Sequence, residues 1–375
     1  MREFVVARAE AGGRFDKYLK RLLPEASAGF LYKMLRKKNI TLNDKKAEGK
    51  EILAENDVVK MFFSEETFFK FVGVPEKGSR WQKVEENDQK FFSSSKPGDD
   101  YKKAFRQLGK IPVIYEDEDI LILNKPAGVL SQKAKREEIS LNEWMIGYLL
   151  EKQEISEEGL SRFCPSVCNR LDRNTSGLLL CGKSLRGSRY LSEILRDRSL
   201  HKYYLAYAEG KIEHPITLKG YLKKESEKNR SKVISEEAYR KKVLEAENRK
   251  KAFGTAGGEK AFQKEYQKIE TVIKPLSYFE EMNCTKLEIL LITGKSHQIR
   301  AHLAAVGHPV IGDIKYGWKP KSRADVEWKY QLLHAYRMEF PKSAGAFAHL
   351  SGKVVIAPVP EEFEKIERWL MPEER

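Results

Sequence analysis

The chain has 375 residues, with 69 Lys plus Arg against 55 Asp plus Glu and a formal net charge of +14. That length exceeds one typical domain and predicts two folded units, one of them small, while so large a cationic excess favours polyanionic partners over acidic or neutral-surface roles. No run approaches the ~18 consecutive apolar residues of a membrane span, and the start, MREFVVARAEAGGRFDK, lacks the apolar centre of a signal peptide, so a cytoplasmic protein without a membrane partner is expected.

Phe15, Tyr18, Leu19 and Leu22 recur at helical spacing, and after Pro24 and the capping candidate Ser27 the pattern repeats at Phe30, Leu31, Met34 and Leu35. Two short helices in succession are predicted. ITLNDKKAEG follows, with Asn43-Asp44 as a turn, and DVVKMFF then alternates like a strand. Lys33, Arg36, Lys37 and Lys38 gather at the end of the second helix, where a phosphate could meet them. This order, with RFDKYL near its start and KKNITLND at its turn, resembles the αL RNA-binding module of ribosomal protein S-four over residues 13 to 62. The resemblance implies a small RNA-binding domain over residues 1–75, to which Arg14 would add a further contact.

Residues 76–108 are charged, contain Ser-Ser-Ser-Lys-Pro-Gly and show no sustained period, which suits a linker. Beyond them, over residues 109–370, strand-like runs alternate with short helices. IPVIYEDEDILILNKPAGVL reads as two strands around an acidic turn, and GLLLCGK, YYLAYAEG, LEILLIT and GKVVIAP are the clearest later strands. Lys and Glu dominate residues 222–260, which predicts an exposed helical or disordered insertion. The four cysteines, Cys164, Cys168, Cys181 and Cys284, lack a second Cys/His pair at zinc-site spacing and read as reduced, mostly buried thiols.

Three stretches could carry chemistry. In RLDRNTSGLLL, Asp172 stands between Arg170 and Arg173 before turn-forming residues and a buried strand, and neighbouring cations favour its ionised form. In HKYYLAYAEG, strand alternation puts Lys202, Tyr204 and Ala206 on one face, where Tyr204 could offer a ring for a base and a hydroxyl for proton transfer. LEILLITGKSHQIRAHLAAVGHPVIGD reads as a strand, a Gly-Lys turn and a helix capped by Ser296, with Ile299, Leu303 and Val306 as its apolar stripe and Arg300 on the flank, able to reach a neighbouring loop. His297 and His302 are five apart, not the four of paired zinc ligands on a helix, so no metal is expected.

In this order, and with KYG, LLHAYRMEF and SGKVVIAPVP following, these stretches resemble the RluA family of RNA pseudouridine synthases over about residues 111 to 365. The resemblance implies an α+β fold with a mixed, mainly antiparallel central sheet flanked by helices and loops, an isomerase needing no cofactor, and RNA, above all large-subunit ribosomal RNA, as partner. It implies Asp172 as the group that breaks the uracil–ribose bond, by covalent attack or through a glycal. Tyr204 would stack on the extruded uracil and help remove its carbon 5 proton, Arg300 would pair with Asp172, and Arg170 would fill the vacated place. Asn169, where many members carry histidine, and Lys295-Ser296, where Arg-Thr is common, depart from the pattern. So do the large charged insertion and KAFQKEY at 260–266, and these leave the choice of substrate open. A non-catalytic RNA-binding or ribosome-assembly factor on the same fold is the alternative. A nuclease or glycosidase fits poorly without a carboxylate cluster or an acid pair. A monomer is expected.

Overall fold

A computed structural model describes residues 1–72, 97–135, 137–157, 159–225, 230–253, 265–320 and 328–370. The chain divides into two compact units, one of Met1–Ile122, Gln132–Asn169 and Leu180–Glu193, the other of Leu123–Ser131, Arg170–Leu179 and Ile194–Arg375.

The first unit begins with β1 (Arg2–Val5), α1 (Phe15–Leu22), α2 (Ala28–Arg36), β2 (Ile40–Leu42), β3 (Lys45–Lys46), β4 (Val58–Met61) and α3 (Glu65–Val72). Its strands form an antiparallel sheet in the order β1-β4-β2-β3. Phe15, Tyr18 and Leu19 of α1 and Leu31 and Leu35 of α2 share one core with Ile40, Val59 and Met61 of that sheet, so the helical and strand periods of the sequence bury one set of side chains. Ser27 caps α2 by accepting a hydrogen bond from the Phe30 amide at 3.2 Å. Between β2 and β3, Asn43 and Asp44 both take positive φ, 51° and 61°, the backbone of a two-residue hairpin that these residue types tolerate.

The same unit continues with α4 (Pro97–Leu108), β5 (Val113–Glu116), the start of β6 (Ile120–Lys125), α5 (Leu141–Glu151), β7 (Ser166–Val167), the end of β8 (Ser176–Gly182) and most of α6 (Leu185–Arg196). Residues 73–96 lie outside the described residues, but 97–108, read from the sequence as part of a charged linker, form α4. The reason is its partner. Phe105 packs its ring 5.7 Å from that of Trp144 on α5, and Gly147 of α5 lies so close to the Tyr101 backbone that any Cβ there would collide with it.

The second unit adds β9 (His201–Glu209), β10 (Ile216–Glu225), β11 (Arg230–Ile234), α7 (Glu236–Phe253), β12 (Tyr266–Phe279), β13 (Cys284–Leu291), α8 (Gln298–Ala305), β14 (Leu333–Glu339), β15 (Val354–Ile356) and α9 (Glu361–Leu370). The large sheet runs β11-β10-β12-β13-β9-β14-β8-β6-β5, with β15 on β14 and β7 on β8. Its pairings from β11 to β14 are antiparallel and that of β14 with β8 is parallel. The architecture is thus α+β with a mixed, mainly antiparallel sheet. All seven residues of β8 are buried, which explains why SGLLLCG is apolar without alternation.

Residues 222–260 differ from the expected insertion. Leu222–Glu225 and Arg230–Ile234 are paired strand, held by the register Leu222 to Val233, because Leu222 and Ser231 turn inward. The helix appears only from Glu236, while 226–229 and 254–260 lie outside the described residues. Among the cysteines, Cys181 and Cys284 are buried, but Cys164 is exposed and Cys168 intermediate. Cys164 follows the 3-10 turn Gly159–Ser161, ahead of the buried strands. No described helix is long and apolar enough to cross a membrane.

Two imidazoles are sealed inside the second unit. His334 on β14 bonds the Ser176 hydroxyl at 2.8 Å, and His302 on α8 bonds the Thr271 hydroxyl at 2.9 Å. Burial lowers both pKa values to about 4. The unfolded chain takes up these protons near pH 6.5, so it binds more protons than the folded one as the pH falls from there towards 4, and stability falls with it. At pH 5 the loss is about 2 kcal/mol for each histidine. Urea unfolding at pH 8 and pH 5 is expected to differ by about 4 kcal/mol. A flat profile would mean that the folded protein accommodates both imidazolium ions.

Candidate active site

The loop from β7 to β8 presents Asp172, and its backbone is pinned at each residue around the carboxylate. The Ser131 hydroxyl bonds both the amide and the carbonyl of Leu171 at 3.0 Å. The carbonyl of Asp172 accepts from the Thr175 amide at 3.0 Å, closing a tight turn, and that of Arg173 accepts from Gly128 at 2.9 Å. Lys125, at the end of β6, is fully buried and donates to the carbonyls of Pro126, Val129 and Arg173 at 3.0, 2.6 and 2.8 Å. One ammonium therefore clasps the Asn-Lys-Pro-Ala-Gly turn to the Asp172 loop. Burial lowers its pKa to about 7, with the charge of Asp172 opposing the shift. The three carbonyls use every donor of the protonated form.

Arg300 reaches this loop from the first turn of α8. Its Nη1 donates to Asp172 Oδ2 at 2.8 Å, while Nε and Nη2 grip both oxygens of Asp313 at 2.6 and 2.8 Å. Arg300 and Asp313 are buried, and the Asp172 side chain keeps 22% of its surface open. Burial opposes the guanidinium's charge, but the bonds and charges of Asp313 and Asp172 outweigh it and raise its pKa. Asp313 is itself held by the Tyr316 amide, whose ring lies under the guanidinium at 4.9 Å. Asp172 Oδ1 makes no hydrogen bond among the described residues. One carboxylate oxygen is thus fixed by a cation and the other is available.

Tyr204 lies on β9, paired with Ala335 of β14 and Ile289 of β13. It is buried and its hydroxyl makes no hydrogen bond among the described residues; burial first, then the charge of Asp172, raises its pKa. On the same face of the strand, Lys202 is half-buried beside Gly294 and makes no hydrogen bond or ion pair among the described residues. Burial and then the charge of Arg198 lower its pKa. Arg170, two residues before Asp172, is exposed.

The structure therefore joins Asp172 and Arg300 directly, and the charge of Asp172 reaches the buried Tyr204, with Lys202 on the same strand as Tyr204. The N-terminal candidates belong to the first unit. Lys33, Arg36, Lys37 and Lys38 are exposed at the end of α2 and form no ion pair among the described residues, whereas Arg14 is engaged by Asp16 at 2.8 Å.

The α8 cap also differs from expectation. His297, not Ser296, is the capping residue, with φ 59° and no side-chain cap bond, and Val306 lies beyond the helix and is exposed while Ile299 and Leu303 are buried. The Ser296 carbonyl instead accepts from the Ser231 hydroxyl of β11 at 3.0 Å, and the first turn is tied by the Gln298 side chain, which accepts from the Lys295 amide at 3.1 Å. Sequence reasoning did not single out Asp313, Tyr316, Lys125 or Ser131. The only available signal for Asp313 was its place in GHPVIGD, where Gly-Asp reads as an ordinary turn.

Residues 119–305 match the RNA pseudouridylate synthase family. A ribosomal large subunit pseudouridine synthase C of Rickettsia felis is 30% identical over 327 residues, 86% of this chain and 86% of its own length. A protein of the same name from Rickettsia bellii is 28% identical over 351 residues, 93% of this chain and 97% of its own. Among solved structures, human RNA pseudouridylate synthase domain containing 4 aligns with a TM-score of 0.49 and 17% identity, covering 71% of this chain and 94% of that one. Sequence likeness over nearly the whole length, on an α+β chain whose family motifs converge at one carboxylate, establishes that this chain belongs to the RNA pseudouridine synthase family and is an isomerase that converts uridine to pseudouridine in RNA.

Proposed function

We propose that the enzyme isomerises uridines of large-subunit ribosomal RNA, with Asp172 as the group that opens the uracil–ribose bond. The observation that carries this reading is the pair in which buried Arg300 holds one oxygen of Asp172 at 2.8 Å and leaves the other unbonded among the described residues, with the charge of Asp172 felt at the buried Tyr204. The relatives named for the large ribosomal subunit support the choice of RNA.

The chemistry fits a single acid. The bond from ribose carbon 1′ to uracil N1 breaks, one from carbon 1′ to carbon 5 forms, and a proton leaves carbon 5 while another reaches N1. No water is consumed, so the acid pair of glycoside hydrolysis is not required. Asp172 acts through its free oxygen, on the sugar or the base, while Arg300 keeps it aimed. Tyr204 stacks on the displaced uracil and helps take the carbon 5 proton. Turning the nucleotide out of its stack costs a few kcal/mol, and exposed Arg170 fills the place it leaves.

RNA is held by cations other than those that grip Asp172. Lys202 meets the backbone beside Tyr204, and the N-terminal region acts as an αL-type RNA-binding module whose exposed Lys33, Arg36, Lys37 and Lys38 grip phosphates. Arg14, already neutralised by Asp16, contributes less.

The test is tritium release from large-subunit ribosomal RNA transcripts labelled at uracil carbon 5, followed by mapping of the pseudouridines formed. One tritium released for each pseudouridine mapped is expected. Release from small-subunit or transfer RNA alone would overturn the substrate assignment, and no release from any of the three would favour a non-catalytic assembly factor.

A further inference from the structure

His297 stands beside Asp172, and its ring is held in a fixed orientation. Its backbone is left-handed, φ 59°, a conformation uncommon for residues with a β-carbon though less so for histidine. The holding groups come from two other segments. Nδ1 lies 3.0 Å from the Tyr316 hydroxyl, and the imidazole stands edge-on to the Tyr316 ring at 82°. That hydroxyl also accepts the Ser231 amide of β11 at 2.8 Å, while the Ser231 hydroxyl is turned to the Ser296 carbonyl.

This chain of bonds sets the tautomer. The buried Tyr316 oxygen already receives a hydrogen from Ser231, and its own proton is best placed on Nδ1, which leaves the imidazole's hydrogen on Nε2. Burial, with Arg300 and Lys315 adding positive charge and Asp172 and Asp313 opposing them, keeps the ring below its ordinary pKa and so neutral. The Nε2 donor faces Asp172 Oδ2 at 3.8 Å, too far for a hydrogen bond, and Oδ2 is already bound to Arg300. A single oxygen atom can sit between them, accepting from Nε2 and donating to the carboxylate. A hydroxyl does both, and when no substrate is bound a water can take the same place.

We propose that His297 is the residue that reads the ribose, its Nε2 hydrogen donating to the 2′-hydroxyl of the target uridine. The proposal rests on Asp172 acting at the glycosidic bond, as above. Whether Asp172 attacks carbon 1′ or removes the carbon 2′ proton, the hydroxyl on carbon 2′ comes beside the carboxylate. This hydroxyl is what separates RNA from DNA at a given nucleotide. Through Ser231 the relay begins on β11, so this strand of the charged segment at 222–260 helps to set the specificity of the site.

The test crosses enzyme and substrate changes. A synthetic RNA oligonucleotide carrying a uridine mapped in the ribosomal RNA is made with ribose or 2′-deoxyribose at that position only, and single-turnover rates are measured for the wild type, His297→Phe and His297→Gln. His297→Phe is expected to slow the ribose substrate about tenfold, the scale of one lost hydrogen bond, and to shrink the penalty for 2′-deoxyribose by the same factor. His297→Gln, whose amide nitrogen falls near Nε2, is expected to restore most of both. Tyr316→Phe keeps the imidazole and frees its tautomer, so it should reduce the penalty in the same direction even if His297→Phe folds poorly. A 2′-deoxy penalty of unchanged size in these variants overturns the role of His297 while leaving the isomerase intact. A wild type that fails on the ribose oligonucleotide overturns the underlying reading instead.

Discussion

Asp172→Asn should lower turnover at least ~10³-fold while leaving affinity for ribosomal RNA within a few-fold of the wild type. The amide has the same shape, so the free position at Oδ1 is still filled, but it can neither attack the sugar nor accept its proton. Stability should change little. Arg300 keeps both bonds to Asp313, and the Asp172 side chain is 22% exposed, so losing this one charge costs about 1 kcal/mol or less. Single-turnover isomerisation, filter binding and urea unfolding of the two proteins measure the three quantities separately. Residual turnover within tenfold of the wild type would remove Asp172 from the chemistry.

That separation of activity from stability was only partly visible in the sequence. The Asp172 loop and the Arg300 helix could be read locally, from turn formers and from an apolar stripe at Ile299 and Leu303. Their meeting could not, because the two residues are 128 positions apart and periodicity carries no information on such contacts. The family resemblance supplied that pairing. Asp313 escaped notice for a physical reason: its role depends on facing a guanidinium, and a Gly-Asp step looks the same whether it faces Arg300 or water. The spacing of His297 speaks only against a zinc pair, and its contact with Tyr316, 19 positions away, leaves no trace in the local pattern. Helix α4 was hidden in a charged stretch because Ala104 and Phe105 acquire a purpose only against α5. The strands needed no such help, since alternation in YYLAYAEG and LEILLIT already separates the faces.

Asp313→Ala should behave in the opposite way to Asp172→Asn, destabilising the fold by about 3–5 kcal/mol. Arg300 is buried and donates two of its three bonds to Asp313. Without that partner the guanidinium keeps its charge in a site that water scarcely reaches, with Asp172 as its remaining carboxylate. Activity should fall as well, on the order of 10²-fold, because a guanidinium no longer clamped from behind lets the Asp172 carboxylate drift from its working geometry. Adding Arg300→Met to Asp313→Ala removes the stranded charge, so the double variant should regain much of the lost stability in urea unfolding. Its turnover should stay low, since nothing then aims Asp172. Recovery of stability without recovery of turnover would assign Asp313 to the positioning of Arg300. A single variant as stable as the wild type would mean that Arg300 finds another acceptor, and that the rigidity of the cluster lies in the Lys125 clasp instead.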